Sequence, residues 1–103
     1  MTLEQIKKML ESAGLPIAYR SFPDAAAPPL PFVCWMADGN DNFAADGGVY
    51  YAAKQISVEL YTKYKDQATE DKLEKAMADV VWSKTETYID SERCYQINYE
   101  FEV

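Results

Sequence analysis

The last ten residues of the chain, 94–103, alternate strictly along a period of two. The odd-numbered positions are apolar or aromatic: Tyr95, Ile97, Tyr99, Phe101 and Val103. The even-numbered positions are mainly polar: Cys94, Gln96, Asn98, Glu100 and Glu102. Successive side chains of a β-strand point to opposite faces of its sheet. Such a strand has one face on a core and one face in water, which is typical of an antiparallel sheet. The segment therefore predicts a sheet with a covered face and an open face.

Strand patterns also cover residues 17–22, 32–37, 49–61 and 85–90. Helical spacing covers residues 3–13, where Thr2 and Gln5 have the form of a capping box and Gly14 follows the last turn. A second helix is predicted over 68–81, capped by Asp66 or Thr69. Its predicted buried stripe is Leu73, Met77, Val80 and Val81. We expect one α+β domain over residues 1–103, in the order α-β-β-β-α-β-β, with both helices on one face of a mainly antiparallel sheet that allows a parallel pair.

Composition argues against several classes of function. The chain has 103 residues, 17 acidic against 10 basic, a formal charge of −7 and no histidine. An acidic chain is a poor reader of DNA, because affinity for DNA comes largely from cations that neutralise phosphates. Histidine is the commonest general base near neutral pH and a common metal ligand. We expect no enzyme, no cofactor, no bound metal and no membrane segment, since no apolar run approaches about 20 residues.

The two cysteines, Cys34 and Cys94, are far apart and form no CxxC pair. The favoured interpretation is two free thiols that serve as small strand residues in a reducing compartment. A disulfide between them stays open at this level.

Residues 38–48 form the stretch richest in Asn, Asp and Gly, and they predict a long polar loop. Asp38, Asn40 and Asn42 match three positions of an EF-hand, but Phe43 replaces its glycine and Val49 its final glutamate, so an EF-hand is rejected. A weak irregular cation site remains an alternative. An aromatic residue in a polar loop favours an anchor into a partner. The candidate contact residues are Asp38, Asn40, Asp41, Asn42, Phe43 and Asp46.

Five segments of the chain carry a family resemblance, residues 14–20, 27–33, 41–47, 56–62 and 99–103. The most distinctive is Asp41-Asn42-Phe43-Ala44-Ala45-Asp46-Gly47. Together these segments resemble a family of small prophage proteins of Gram-positive bacteria, encoded in the head–tail joining module. In size and element order these proteins are similar to tail-completion, or tail-terminator, proteins of long-tailed phages.

The resemblance implies a structural role in the virion, at the head–tail interface, after assembly in the bacterial cytoplasm. Its partners would be further copies of itself, in a ring that is usually a hexamer in such proteins, together with the tail-tube protein and head-connector proteins. DNA would pass without specific binding. The alternatives are a head-completion or connector-adaptor protein, and a small ligand-binding or regulatory α+β module without enzymatic activity.

Overall fold

The computed structural model describes residues 1–23, 27–45 and 48–103, and it leaves the side chains of 40–45 and 48–52 undescribed. The elements are α1 (Leu3–Glu11), β1 (Ile17–Tyr19), β2 (Phe32–Ala45), β3 (Gly48–Thr62), α2 (Gln67–Ala76), β4 (Ser83–Ile89) and β5 (Cys94–Glu102). This order confirms the predicted α+β fold. No helix in the described part of the chain is long and apolar enough to span a bilayer.

The five strands form one mixed sheet in the order β1-β2-β3-β5-β4. β1 runs parallel to β2, and the other three pairs are antiparallel. β2, β3 and β5 are the inner strands, and β1 and β4 form the two edges of the sheet. The predicted alternation of 94–103 is confirmed, because Ile97, Tyr99 and Phe101 are buried whereas Glu100 and Glu102 are exposed.

Both helices lie on one face of this sheet, as predicted. Cross-strand register aligns Val33, Leu60 and Ile97 in one row and Trp35, Val58 and Tyr99 in the next. These rows form the core with Ile6 and Leu10 of α1 and with Leu73 and Met77 of α2. The strand positions between these rows point to the opposite face, on which no helix of the described residues packs; we call it the open face.

The ends of α1 follow the sequence prediction. The Thr2 side chain accepts a hydrogen bond from the Gln5 backbone N–H, and the Gln5 side chain accepts one from the Thr2 N–H. This is a complete capping box, which satisfies two N–H groups that the helix itself leaves without partners. Gly14 has a φ of +77°, a conformation that glycine adopts without steric cost.

The second helix ends earlier than predicted. α2 begins after Asp66, whose carboxylate accepts from the Thr69 N–H, but it stops at Ala76 rather than at residue 81. Val81 was predicted to belong to the buried stripe, and this is wrong because its side chain is 94% exposed. The reason is that residues 77–82 already form the connection that brings the chain back to the sheet edge.

Candidate assembly surface

The predicted loop over residues 38–48 is wrong for the residues that the structure describes. β2 continues through Ala45, β3 begins at Gly48, and the two strands stay paired as far as Ala45 opposite Gly48. Asn, Asp and Gly are depleted in strands, but cross-strand pairing supplies partners for the backbone and overrides that preference. The segment is therefore part of a long β-hairpin.

This hairpin extends beyond the other strands. β5 pairs with β3 only from Gln55 to Thr62, and the sheet ends where Lys54 and Val103 exchange backbone hydrogen bonds of 2.7 and 3.0 Å. Residues 40–45 and 48–53 lie beyond this point, and we call them the arm. Six residues per strand span about 20 Å. The molecule is correspondingly elongated, with extents of 50 × 26 × 23 Å and a radius of gyration of 15.1 Å, against about 13 Å for a compact chain of this length.

Asp38 marks the base of the arm. The register between β2 and β3 shifts between Ala37 and Gly39, which leaves Asp38 as an extra residue on β2. Such a bulge bends the strand and increases its twist. The Ser57 hydroxyl donates a hydrogen bond to the Asp38 carboxylate, which holds the bulge against β3. Asp38 thus has a structural partner at the point where the hairpin leaves the sheet.

The other predicted contact residues lie on the arm itself. Asn40, Asp41, Asn42 and Phe43 are consecutive residues of β2, opposite Lys54, Ala53, Ala52 and Tyr51 in that order. Asp46 lies outside the described residues. The structure therefore brings four of the six candidate residues together on one strand, places Asp38 at its base, and leaves their cation-site alternative untested.

The composition of the arm sets it apart from ordinary edge strands. Of its twelve residues, only Asp41 is charged. Eight are apolar or aromatic: Phe43, Ala44, Ala45, Val49, Tyr50, Tyr51, Ala52 and Ala53. Among the described residues, no third strand pairs with either side of the arm. Proteins commonly protect exposed strand edges with lysine, proline or very short strands. The arm has none of these devices, and an isolated two-stranded hairpin is marginally stable in water. These properties favour a segment that another chain covers.

The open face is acidic. At the described strand positions of this face there are four carboxylates and no lysine or arginine; the carboxylates belong to Asp38, Glu59, Glu100 and Glu102. Lys54 and Lys84 lie on the helix face. The net charge of −7 follows from composition, whereas the concentration of carboxylates on one face of the sheet becomes visible only from the strand register.

Polar contacts order the centre of this face. The Tyr61 hydroxyl donates to Glu59 at 3.1 Å, and the Gln96 amide donates to both of them, at 3.0 Å to Tyr61 and 3.2 Å to Glu59. Burial, together with the nearby Glu59 charge, raises the pKa of Tyr61 to about 12. The phenol is therefore neutral at physiological pH and can act as the donor to Glu59.

The end of the open face away from the arm is apolar. Phe22 packs edge-on against Phe32 with ring centroids 5.2 Å apart, and Phe32 meets Tyr61 at 5.3 Å. Beside them is a cavity of about 360 Å³, lined by Leu30, Phe32, Tyr61, Ile89, Glu92 and Cys94. The open face thus has an acidic part next to the arm and an apolar part at the opposite end.

The two cysteines are free and buried, and the structure contradicts a bridge between them. Cys34 on β2 and Cys94 on β5 are separated by β3, so their Cα atoms are at least about 10 Å apart, which is beyond disulfide reach. Burial raises the pKa of both thiols, with Glu59 adding to the effect at Cys34 and Glu92 at Cys94.

The sequence patterns do not predict a buried ionic cluster that lies on the helix face. The Glu70 side chain is 1% exposed, and it accepts from Lys65 at 2.6 Å and Lys84 at 3.1 Å. Lys84 also meets Glu74 at 2.6 Å, and Lys65 meets Glu86 at 2.6 Å. The cluster joins α2 to β4. Its members come from α2, β4 and the segment before α2, so the pattern of no single helix or strand identifies it.

Burial alone would raise the pKa of Glu70, but the hydrogen bonds and charges of Lys65 and Lys84 outweigh burial and lower it. Hydrogen bonds to Glu70 and Glu86 raise the pKa of Lys65, and hydrogen bonds to Glu74 and Glu70 raise that of Lys84. Glu70 and the two lysines are therefore charged at neutral pH, and their ion pairs connect α2 to β4.

Comparison with known proteins adds no relative: neither a scan against protein-family models nor a search of curated proteins finds a match.

Proposed function

We propose that this chain is a structural protein of a phage head–tail connector, and specifically a tail terminator whose copies form a ring on the end of the tail tube. The resemblance of its sequence segments to prophage head–tail joining proteins supplies the setting. The observation that carries the proposal is the arm, a projecting apolar hairpin whose edges have no partner in the described chain.

In this proposal the arm is the assembly contact. Each arm lies against the adjacent subunit or the last tube ring, where the backbone groups along its strand edges gain hydrogen-bond partners and its apolar residues pack against the partner. Strand addition of this kind derives affinity from main-chain hydrogen bonds and specificity from the side chains. The bulge at Asp38, held by Ser57, sets the direction in which the arm leaves the sheet.

The open face supports a role beside DNA. A ring of six copies at −7 each carries −42 formal charges. If the open face lines the lumen, its four carboxylates repel the phosphate backbone instead of neutralising it. Passing DNA then meets no adhesive surface.

The experiment combines the purified chain with the tail-tube protein of the same phage and measures tube length by negative-stain electron microscopy. We expect mean tube length to fall as the proportion of this chain rises, with an added ring at one tube end. Unchanged tube lengths at an excess of folded chain would contradict a terminator.

The matched control shortens the arm. Because Asn40 lies opposite Lys54, residues 41–53 can be replaced by Asn-Gly, a pair suited to a two-residue hairpin turn. This variant retains the core rows and both helices, so its helical circular dichroism signal and its cooperative thermal unfolding should match those of the intact chain. We expect it to leave tube length unchanged. Tube capping by the shortened variant would contradict the role of the arm.

A further inference from the structure

The outer edge of β4 is the second long strand edge of the molecule. β4 lies last in the sheet order, and in the described ranges no strand pairs with its outer side. Six of its seven residues, Ser83 to Tyr88, are exposed. By contrast, the opposite edge strand β1 has only three residues. A long edge presents a row of unpaired backbone N–H and C=O groups to any strand that can align with it.

The sequence around β4 is self-complementary about Thr85. If a second copy of the chain aligns antiparallel with Thr85 opposite its own counterpart, every position meets a residue of matching or opposite-charge chemistry. The pairs are Lys84 with Glu86, Ser83 with Thr87, Trp82 with Tyr88, and Val81 with Ile89. Opposite charges, paired hydroxyl residues and paired aromatics each stabilise antiparallel neighbours.

Charge selects this register over its neighbours. Moving the centre one residue along places Glu86 opposite the second copy's Glu86, and moving it the other way places Lys84 opposite the second copy's Lys84. Like charges directly opposite each other are destabilising. The register about Thr85 brings unlike charges together at both positions.

The charged pair is already held in place. Lys84 is fixed by Glu70 and Glu74, and Glu86 is fixed by Lys65. Both side chains nevertheless keep accessible surface, 34% for Lys84 and 45% for Glu86. Because the side chains are ordered before contact, pairing costs less conformational freedom than it would for mobile lysine and glutamate residues.

The exposure of Val81 gains an explanation in the same register. Val81 is 94% exposed, and it lies just before β4 beside Ser83 and Glu100 of the open face. The register places it against Ile89 of the second copy, which borders the apolar cavity of about 360 Å³. Val81 of each copy therefore meets the apolar cavity of the other copy. Because the pair is symmetric, this contact occurs twice, once at each end of the paired strands.

We propose that β4 pairs with β4 of a second copy about a two-fold axis through Thr85, joining two five-stranded sheets into one of ten strands with all four helices on the same face. The contact is isologous, since each copy contributes the same surface. A ring on a tube end uses head-to-tail contacts instead, and the arm lies on β2 and β3, away from this edge. The two-fold pair is therefore a form of the free protein, and it stands independently of the proposed function.

Single-cysteine variants test the register in the full-length chain. Thr85→Cys places two thiols opposite each other at the axis, at a separation that suits a disulfide in an antiparallel pair. Thr87→Cys is the matched control, because its thiol faces Ser83 of the second copy rather than itself. The native Cys34 and Cys94 are buried, so the unmodified chain gives the background. Under oxidising conditions we expect cross-linked dimer with Thr85→Cys, and only background with Thr87→Cys.

Sedimentation velocity over a concentration range tests the dimer without cross-linking. We expect a monomer–dimer equilibrium in the unmodified chain, retained in the arm-shortened variant. Thr85→Lys places two cations opposite each other and should weaken dimerisation by about fivefold or more, whereas Thr87→Lys, which meets Ser83, should weaken it less. A chain that stays monomeric at every concentration would overturn the proposal. Equal cross-linking of the two cysteine variants would overturn the register.

Discussion

Glu70 illustrates how single residues secure the helix layer. Its carboxylate is almost fully buried, yet Lys65 and Lys84 keep it charged and lower its pKa. A group whose pKa is lowered by folding stabilises the fold above its ordinary pKa, near 4.5, and this contribution is lost as the pH falls through the folded value. Glu70 therefore adds stability at neutral pH and little in acid.

Replacing Glu70 tests this directly. We expect Glu70→Gln to reduce the free energy of unfolding at pH 7 by about 1–3 kcal/mol, because hydrogen bonds to charged groups are lost in a buried position. The difference from the unmodified chain should be smaller at pH 3, because the stabilisation by the charged carboxylate is lost progressively as the pH falls below about 4.5. Urea unfolding at both pH values measures it. Glu4→Gln, on the exposed side of α1, is the control. A difference that is equal at both pH values would exclude the charge as its cause.

Phe43 is the residue for which the sequence predicted a partner contact, and the structure places it on the arm opposite Tyr51. We expect Phe43→Ala to leave the melting temperature near that of the unmodified chain and to reduce the effect of the chain on tube length. Tyr64→Ala is the control, since Tyr64 is 65% exposed and lies past the other end of β3. If Phe43→Ala shortens tubes as well as the control does, the anchor hypothesis is wrong.

The helix α1 contributes two buried side chains to the core. Ile6 and Leu10 are buried among the sheet rows, whereas Leu3 is 41% exposed. Leu10→Ala should reduce the free energy of unfolding by about 2–4 kcal/mol, through lost apolar burial and the cavity left behind. Leu3→Ala should cost much less. Chemical denaturation of both variants measures the contrast, and similar losses would mean that α1 packs differently.

Elements with strong local patterns could be predicted from the sequence. The capping box at Thr2 and Gln5 and the alternation of 94–103 depend on neighbouring residues alone, and both are confirmed. The arm could not be predicted, because Asp38, Asn40 and Asn42 have turn preferences that only pairing with a distant strand overrides. The contact role of the six candidate residues stays a prediction. The arrangement of five of them along β2 depends on pairing with β3, and Asp46 lies outside the described residues.

The end of α2 shows the same limit. Helical spacing continues through Val80 and Val81, but the helix stops at Ala76 because the chain must turn towards the edge of the sheet. The exposed Val81 and the self-complementary edge that follows become visible only once β4 is known to be the last strand.

The molecule has a helix face and an open face that differ in composition, and an arm that projects from one end of the sheet. The helix face contains the core and the ionic cluster, while the open face presents carboxylates near the arm. The arm makes the molecule long rather than round. A shape with a projecting apolar hairpin suits a subunit that is completed by its neighbours, which is the basis of the proposed terminator ring.

The most direct measurement is the tail length of particles made without this chain. The gene is deleted from the phage that carries it, and tails are measured by electron microscopy, with the intact gene and the arm-shortened gene supplied in trans. We expect overlong tails without heads after deletion, rescue by the intact gene, and no rescue by the arm-shortened gene. Tails of normal length, joined to heads that lose their DNA, would contradict it and indicate a head-completion protein instead.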